Sequence, residues 1–344
     1  MHNKIILLAD YKGIFGSKQI SPIYRGGMDI ALLLKLFNER GYSAEAKYIY
    51  EIDTNELLDE DSIVLYTSSE DNNGLYKSFI EDVIYHLEEQ GVIVLPRYAY
   101  LKAHNNKVAM EQLRLRSNIP EVQTINSKVF GTLEELKKCA TKLNYPVVIK
   151  NHAGAMSRGV ERADSHDELI KIAKKTSKSL SCMHDIKELL RKVKYRSKYI
   201  RESFYRNKFV VQNFIENLNN DWKVLVYSDK CFVLYRGNRK NDFRASGSGD
   251  FEFKKELPEG LLNYAYIIKN KFNVPHISLD IGYDGERFHL LEFQFIYFGT
   301  TTIEKAPFYF VYQNKKWNII EEKVNLEKIY VESIVEFLKD NIDL

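Results

Sequence analysis

Two carboxylates placed where carboxylates are costly are the first sign of chemistry in this sequence. Asp280 sits in SLDIG and Glu292 in LLEFQF, each inside an otherwise apolar run. A charge buried there must be paired or must bind a metal. Hard divalent cations take oxygen ligands, and magnesium carried with substrate phosphates commonly uses one or two carboxylates. Gln294 is two residues beyond Glu292, hence on the same face of a strand, so one face can present both. The intervening GYDGE is a turn. A loop centred near Gly285 puts Asp280 and Glu292 on one face, diagonally across a hairpin, whereas a tight Asp284-Gly285 turn puts them on opposite faces. The metal reading therefore requires the wider loop. The alternative is a pair of buried carboxylates bridged to Arg or Lys.

Phosphate binding needs cations and backbone donors. Lys150 ends the apolar run PVVIK, and the loop NHAGAMSRGV, with Gly154 and Gly159, follows directly. Its backbone N–H groups can approach a phosphate closely. Lys107 follows Asn105-Asn106 at the start of a helical pattern. Each lysine alone also reads as a surface lysine, and the glycines as an ordinary turn. Arg244, in DFRASGSGD, is a guanidinium in a Gly/Ser loop, suited to holding a phosphoryl group or carboxylate bidentately; a plain loop arginine is the other reading. Asp280→Asn is expected to spare the fold, because a metal-binding carboxylate is a liability without its ion.

The elements that must position these residues follow from periodicity. Apolar runs at 4–9, 62–67 and 92–95 alternate with helical spacing over 28–37 and 75–90, each helix closed by a glycine, Gly41 and Gly91. That is a small parallel α/β domain over 1–100. A second segment, 101–211, holds helices at 103–116, 131–143 and 166–180, a strand-like VQTI after Pro120, and the strand ending at Lys150. A third, 212–344, holds a hairpin at 222–227 and 231–236 around Ser228-Asp229-Lys230, the strands of Asp280 and Glu292, and a C-terminal amphipathic helix from about 325. The strand 209–215, FVVQNFI, joins the two. Tyr24–Gly27 and Ser68–Glu70 lie beside elements of the first domain, where open sheets bind ligands.

The bulk properties exclude other classes. With 50 Lys and Arg against 47 Asp and Glu, the net charge of +3 does not argue for nucleic acid. No run approaches the roughly 18 apolar residues of a membrane helix. Cys139, Cys182 and Cys231 are far apart and odd in number, which points to a reducing, cytoplasmic compartment. There is no GxxxxGK[ST], GxSxG or HExxH. Residues 184–208 are densely basic; they read as a solvated helical face or as a patch that meets an acidic substrate.

Taken in order, these segments resemble the ATP-grasp superfamily over roughly 100–305, in the carboxylate–amine ligase branch that contains ribosomal-protein glutamate ligases. NKVAMEQLRLRSNIP resembles the segment of the first ATP-binding lysine, here Lys107. YPVVIKNHAGAMSRGV resembles the strand and phosphate-covering loop with Lys150, Gly154, Ser157 and Gly159. VVQNFIEN resembles the hinge that holds adenine, here Gln212, Asn213, Phe214 and Ile215. NNDWKV resembles a D-x-R segment, with Asp221 and Lys223. DFRASGSG resembles the arginine segment, here Arg244. LDIG and LEFQF resemble the metal strands, here Asp280, Glu292 and Gln294. Gln294 stands where Asn is usual, Asn213 where an acidic residue is common, and Lys223 replaces Arg.

The resemblance implies an ATP-grasp fold preceded by a parallel α/β domain, with ATP and Mg2+ as cofactors. It implies that carboxylate and amine are joined through an acyl phosphate, with Lys107 and Lys150 on the α/β phosphates and Arg244, with Lys150, in catalysis. The substrates would be small molecules, an amino acid or a uronic-acid sugar among them. It allows a homodimer, since many relatives form dimers. A kinase acting on an alcohol and a non-catalytic nucleotide-binding protein are the alternatives.

Overall fold

The computed structural model describes residues 3–52, 62–154, 159–179, 181–239, 242, 244 and 249–341. The chain forms two compact units that do not follow its linear order. One comprises 1–104, 117–124 and 218–344; the other comprises 105–116 and 125–217.

The first unit begins with a parallel sheet in the order β2-β1-β3-β4, built from β1 (Lys4–Ala9), β2 (Ser43–Tyr48), β3 (Ser62–Tyr66) and β4 (Ile93–Leu95). Helices α1 (Ile30–Asn38) and α2 (Leu75–Glu89) connect the strands, and α3 (Tyr98–Ala103) follows β4. Asp29 caps α1 by accepting the Leu32 N–H, and Gly91, with φ of +83°, closes the turn after α2. The parallel α/β sheet expected near the N-terminus is thus present, within a unit that also takes in 117–124 and 218–344. The polar edge strand β2 carries no apolar period to mark it.

The second unit contains α4 (Lys107–Arg116), β5 (Ser127–Phe130), α5 (Leu133–Lys137), β6 (Val147–Asn151), β7 (Val160–Ala163), α6 (His166–Thr176), α7 (Cys182–Tyr195) and β8 (Phe209–Asn213). Its antiparallel sheet has the order β5-β8-β6-β7. One face, with Val147, Ile149, Phe209 and Val211, packs on Leu133, Leu136, Leu169 and Ile172 of α5 and α6. The strand expected at VQTI lies further on, at β5. Pro120 instead opens a 3-10 turn, and Val122 and Ile125 are buried without entering a ladder.

The chain then returns to the first unit with β9 (Asn220–Tyr227), β10 (Lys230–Gly237), β11 (Phe251–Glu252), α8 (Leu261–Phe272), β12 (His276–Tyr283), β13 (Phe288–Gln294), α9 (Thr301–Lys305), β14 (Tyr309–Gln313), β15 (Lys316–Ile320) and α10 (Leu326–Asn341). The larger sheet runs β13-β12-β9-β10-β14-β15, with β11 beside β10. Tyr330, Val331, Ile334 and Leu338 of α10 pack with Ile5, Leu7, Ile63 and Leu65 of the parallel sheet and with Leu225 and Phe232 of the larger one. One core thus spans both sheets of this unit.

His276 lies inside that core. Its ring stacks on Tyr227 at 5.0 Å and lies against Phe298 and Tyr330. Ser333 Oγ donates to the Tyr330 carbonyl (2.8 Å), so it accepts from His276 Nδ1 at 3.2 Å, which fixes a neutral Nδ1–H tautomer. Burial pushes the imidazole down to about 3. The folded state resists a proton that the unfolded chain takes up near 6.5, so stability from this site is complete above about pH 6.5 and is lost as pH falls towards 3. His276→Phe is expected to retain the ring packing and remove this dependence. Urea unfolding at pH 7 and pH 4.5 should show a smaller stability difference in the variant, by up to about 3 kcal/mol; equal differences would show that His276 is not buried neutral.

Candidate active site

The hairpin β12–β13 sets the position of the carboxylates. Its loop, 284–287, has four residues, because Tyr283 pairs with Phe288. Asp284 ties it down, with Oδ1 accepting the N–H groups of Glu286 and Arg287 (both 2.8 Å) and Oδ2 facing His289 Nε2 at 2.7 Å. Burial alone would raise the Asp284 carboxyl, but His289 and the two N–H groups hold it at about 2. The loop is wider than a two-residue turn, as the metal reading requires. Continued without interruption, however, its register would set Asp280 against Leu291. A bulge between Ile281 and Asp280 takes up Leu291 and places Asp280 directly opposite Glu292. Gln294 follows opposite Ser278. The two carboxylates therefore face each other across the ladder, closer than the diagonal expected from loop length.

The same face continues across β9 and β10. Lys223 pairs with Asp280 and Asp221 with Gly282 on one side, while Asp221 pairs with Arg236 on the other. Side chains of these registers share one surface of the sheet. Lys223 Nζ lies 3.0 Å from Ser278 Oγ and 3.4 Å from Asp280 Oδ1; Arg236 lies 2.7 Å from Asp280 Oδ2 and also pairs with Asp221. The salt-bridged alternative is thus met at Asp280. Burial would raise its carboxyl, but Arg236 and Lys223 outweigh that and hold it below the usual carboxylate range. Burial pushes Asp221 up against the pull of Arg236, and the Asp280 charge adds to the rise. The expectation that Asp280→Asn would spare the fold is therefore corrected: the charge balances two cations, and its loss leaves them under-compensated.

Arg236 was not singled out from the sequence. The hairpin turn holds two residues, Ser228 and Asp229, not three, and this shift alone turns Arg236 onto the polar face opposite Asp221. Arg244 is engaged elsewhere: its guanidinium donates to Asp242 at 2.6–2.9 Å, and its N–H bonds Asp242 Oδ1 at 3.0 Å.

In the second unit, the start of α4 and the loop after β6 are joined. Lys107 Nζ donates to the Gly154 carbonyl (2.8 Å), the Lys107 N–H to the His152 carbonyl (2.7 Å), and the Gly154 N–H to Asn105 Oδ1 (2.9 Å). Lys107 and Gly154 are thus brought together as expected. Asn105 and His152, which hold them, were not singled out; the Asn-Asn preceding Lys107 was the available signal. Gly159 has φ of +71°, and a Cβ there would collide with the Asn151 side chain. Ser157 lies outside the described residues.

Lys150 and Gln212 lie on the sheet face opposite the α5–α6 core, with Val148, Val210 and Arg162. Gln212 is buried and its Nε2 has no hydrogen-bond acceptor among the described residues, which makes it a donor in want of a partner there. Asn213 and Phe214 spend their N–H groups on the carbonyls of Asn126 and Pro146, and the Phe214 ring lies 4.3 Å under the Arg162 guanidinium. Ile215 is half-buried at the strand's end.

Comparison with known proteins shows what the chain is similar to. Residues 106–209 match the model of the carbamoyl-phosphate synthase L chain ATP binding domain, a span that includes Lys107, Lys150, Gly154 and Gly159 and stops short of Gln212. The α-aminoadipate–LysW ligase LysX of Saccharolobus solfataricus is 26% identical over 222 residues, 64% of this chain and 70% of that protein. Residues 106–209 thus match an ATP-grasp ATP-binding domain, and the relative is a ligase. Two solved ATP-grasp structures share the fold at low identity. D-cycloserine synthetase DcsG has a TM-score of 0.55 and 11% identity, covering 97% of this chain and 99% of that one. A peptide-associated ATP-grasp ligase from Chryseobacterium gregarium has a TM-score of 0.53 and 12% identity, covering 99% and 98%.

Among the described residues no group of three or more His, Cys, Asp or Glu is placed to hold a metal by itself, and no helix is long and apolar enough to cross a membrane. The polar ladder makes Arg236 the buried charge that two carboxylates depend on. Arg236→Met is expected to cost about 3–5 kcal/mol in urea unfolding, because it strands Asp221 and Asp280; a loss below about 1 kcal/mol would show that the guanidinium does not compensate them.

Proposed function

We propose that this ATP-grasp ligase joins a carboxylate to an amine through an acyl phosphate, releasing ADP and phosphate. The observation that supports this most directly is the bulge that sets Asp280 opposite Glu292 on a face already carrying Lys223 and Arg236. The donor set is hard oxygen, two carboxylates and the Gln294 amide, which fits Mg2+ bound together with nucleotide phosphates. Asp280 and Glu292 would hold the ion, with Gln294 beside them, and when bound it supplies charge neutralisation of the phosphates and of the transferring group.

The chain's own groups divide the remaining work. Lys107 and Lys150 bind phosphate oxygens, with the N–H groups of the loop at Gly154 and Gly159 as further donors. Gln212 to Ile215 take the adenine, with the unpartnered Gln212 amide as one donor, and Asp221 keeps Arg236 in place. A substrate carboxylate oxygen attacks the γ-phosphorus and ADP departs. The amine then attacks the acyl carbon, loses a proton and expels phosphate. Arg244, released from Asp242, would hold the γ-phosphoryl group and then the tetrahedral oxyanion. The loop at 153–160 would keep water from the acyl phosphate. The LysX relative is named for ligation of an amino acid, so an amino acid is one candidate substrate; a uronic-acid sugar is another. A cytoplasmic setting, supplied with ATP and reducing enough for Cys139 and Cys231 to stay as free thiols, belongs to this reading.

Two outcomes are expected. With MgATP, pooled amino acids and pooled uronic-acid sugars, ADP and phosphate should appear together and depend on a pool; ADP without phosphate would instead indicate a kinase. Lys150→Ala should weaken ATP binding at least about tenfold in calorimetry, as loss of a phosphate contact of about 1.5–3 kcal/mol implies; unchanged affinity would remove Lys150 from the site. Metal binding should also be ordered. Because Lys223 and Arg236 already balance Asp280, Mn2+ used as a paramagnetic probe should bind at least about tenfold more tightly once ADP adds its negative charge. Equal affinity with and without ADP would move the metal away from Asp280.

A further inference from the structure

Helix α7 is packed inside out. Its acidic residues face the protein: Asp185 and Glu188 are buried, Asp185 accepting the Ser181 N–H (2.8 Å) and Glu188 accepting from the Tyr199 hydroxyl, the Glu202 N–H and Arg191. Its apolar residues face outward. Met183, Ile186, Leu190 and Val193, with Leu189 beside them, are 48–75% exposed. Their spacing of three, four and three residues is the seam of a helix that pairs with another helix, and it runs about 15 Å along the axis. Of the cations of α7, Lys187 and Lys194 border the seam, whereas Arg191 turns to Glu188 and Lys192 bonds the Arg196 and Tyr199 carbonyls. A solvated helix would carry its apolar side inward, so this arrangement is suited to a partner.

We propose that the outward face of α7 docks an acidic amphipathic helix of a partner protein or peptide, its apolar seam on Met183, Ile186, Leu190 and Val193 and its acids against Lys187 and Lys194. Charge decides against a second copy, which would bring the like charges of its own Lys187 and Lys194 to the same seam. Spacing decides against a bilayer, which imposes no heptad period and is met by a wider apolar face rich in Trp, Phe and Leu. The surface lies on an insertion between α6 and β8 and takes no part in the nucleotide chemistry, so it stands or falls independently of that reading.

The test uses the full-length protein and a labelled three-heptad peptide with Leu at the a and d positions and Glu at e and g, followed by fluorescence anisotropy. Saturable binding is expected, weakened at least about tenfold by Leu190→Asp and by raised salt, with ATP affinity unchanged in the variant. Lys187→Glu combined with Lys194→Glu should abolish binding and restore it to a peptide carrying Lys at e and g. Any of the following would overturn the proposal: equal binding of a scrambled peptide of the same composition, indifference of binding to Leu190→Asp, an α7-dependent dimer seen by sedimentation, or α7-dependent binding to phosphatidylglycerol vesicles without peptide binding.

Discussion

A single buried guanidinium holds the charged face of the larger sheet together. Arg236 is shared between Asp221 on the neighbouring strand and Asp280 one strand further on, and Lys223 meets Asp280 from the strand between. Two carboxylates this deep in a sheet would each carry a large desolvation cost; two cations on the same face make them tolerable, and the bulge at Leu291 adds Glu292 to the set. The arrangement is near charge balance as it stands. On the proposed function, nucleotide and metal entering together would keep that balance, whereas either alone would unbalance the face.

The second unit holds its proposed phosphate residues by different means. Its cation, Lys107, is held at a helix start by hydrogen bonds that also shape the loop after β6. The side chain and N–H of Lys107 both bond carbonyls of that loop, and Asn105 receives the Gly154 N–H. These bonds anchor the chain at His152 and Gly154, and Gly159, with positive φ, lets it run past Asn151 into β7. The matched ATP-binding domain covers this unit almost entirely.

Much of this was legible in the sequence, and the failures share one cause. The alternation of apolar runs and helical spacing revealed the parallel sheet, and carboxylates inside apolar strands marked Asp280 and Glu292, because burial of charge is readable from neighbours in the chain. Register is not. A turn of two residues at Ser228-Asp229, read as three, hid Arg236, and the bulge at Leu291 altered a facing inferred from loop length alone. Other strands were lost as well: the edge strand β2 is polar, and β14 and the edge strand β15 carry no marked period. The basic stretch was legible as charge, but only the packing shows that its acids point inward and its apolar residues outward, since that depends on contacts from Tyr199 and Glu202 beyond the helix.

The central claim is that this charge-balanced face activates a carboxylate by phosphorylating it. Trapping with hydroxylamine tests it most directly. With MgATP, a pool of carboxylate substrates and hydroxylamine in place of the amine, the wild-type protein should form a hydroxamate in step with ADP, and Asp280→Asn, checked to be folded by circular dichroism, should form none. ADP release without hydroxamate, or hydroxamate formed equally well by the folded variant, would contradict the account.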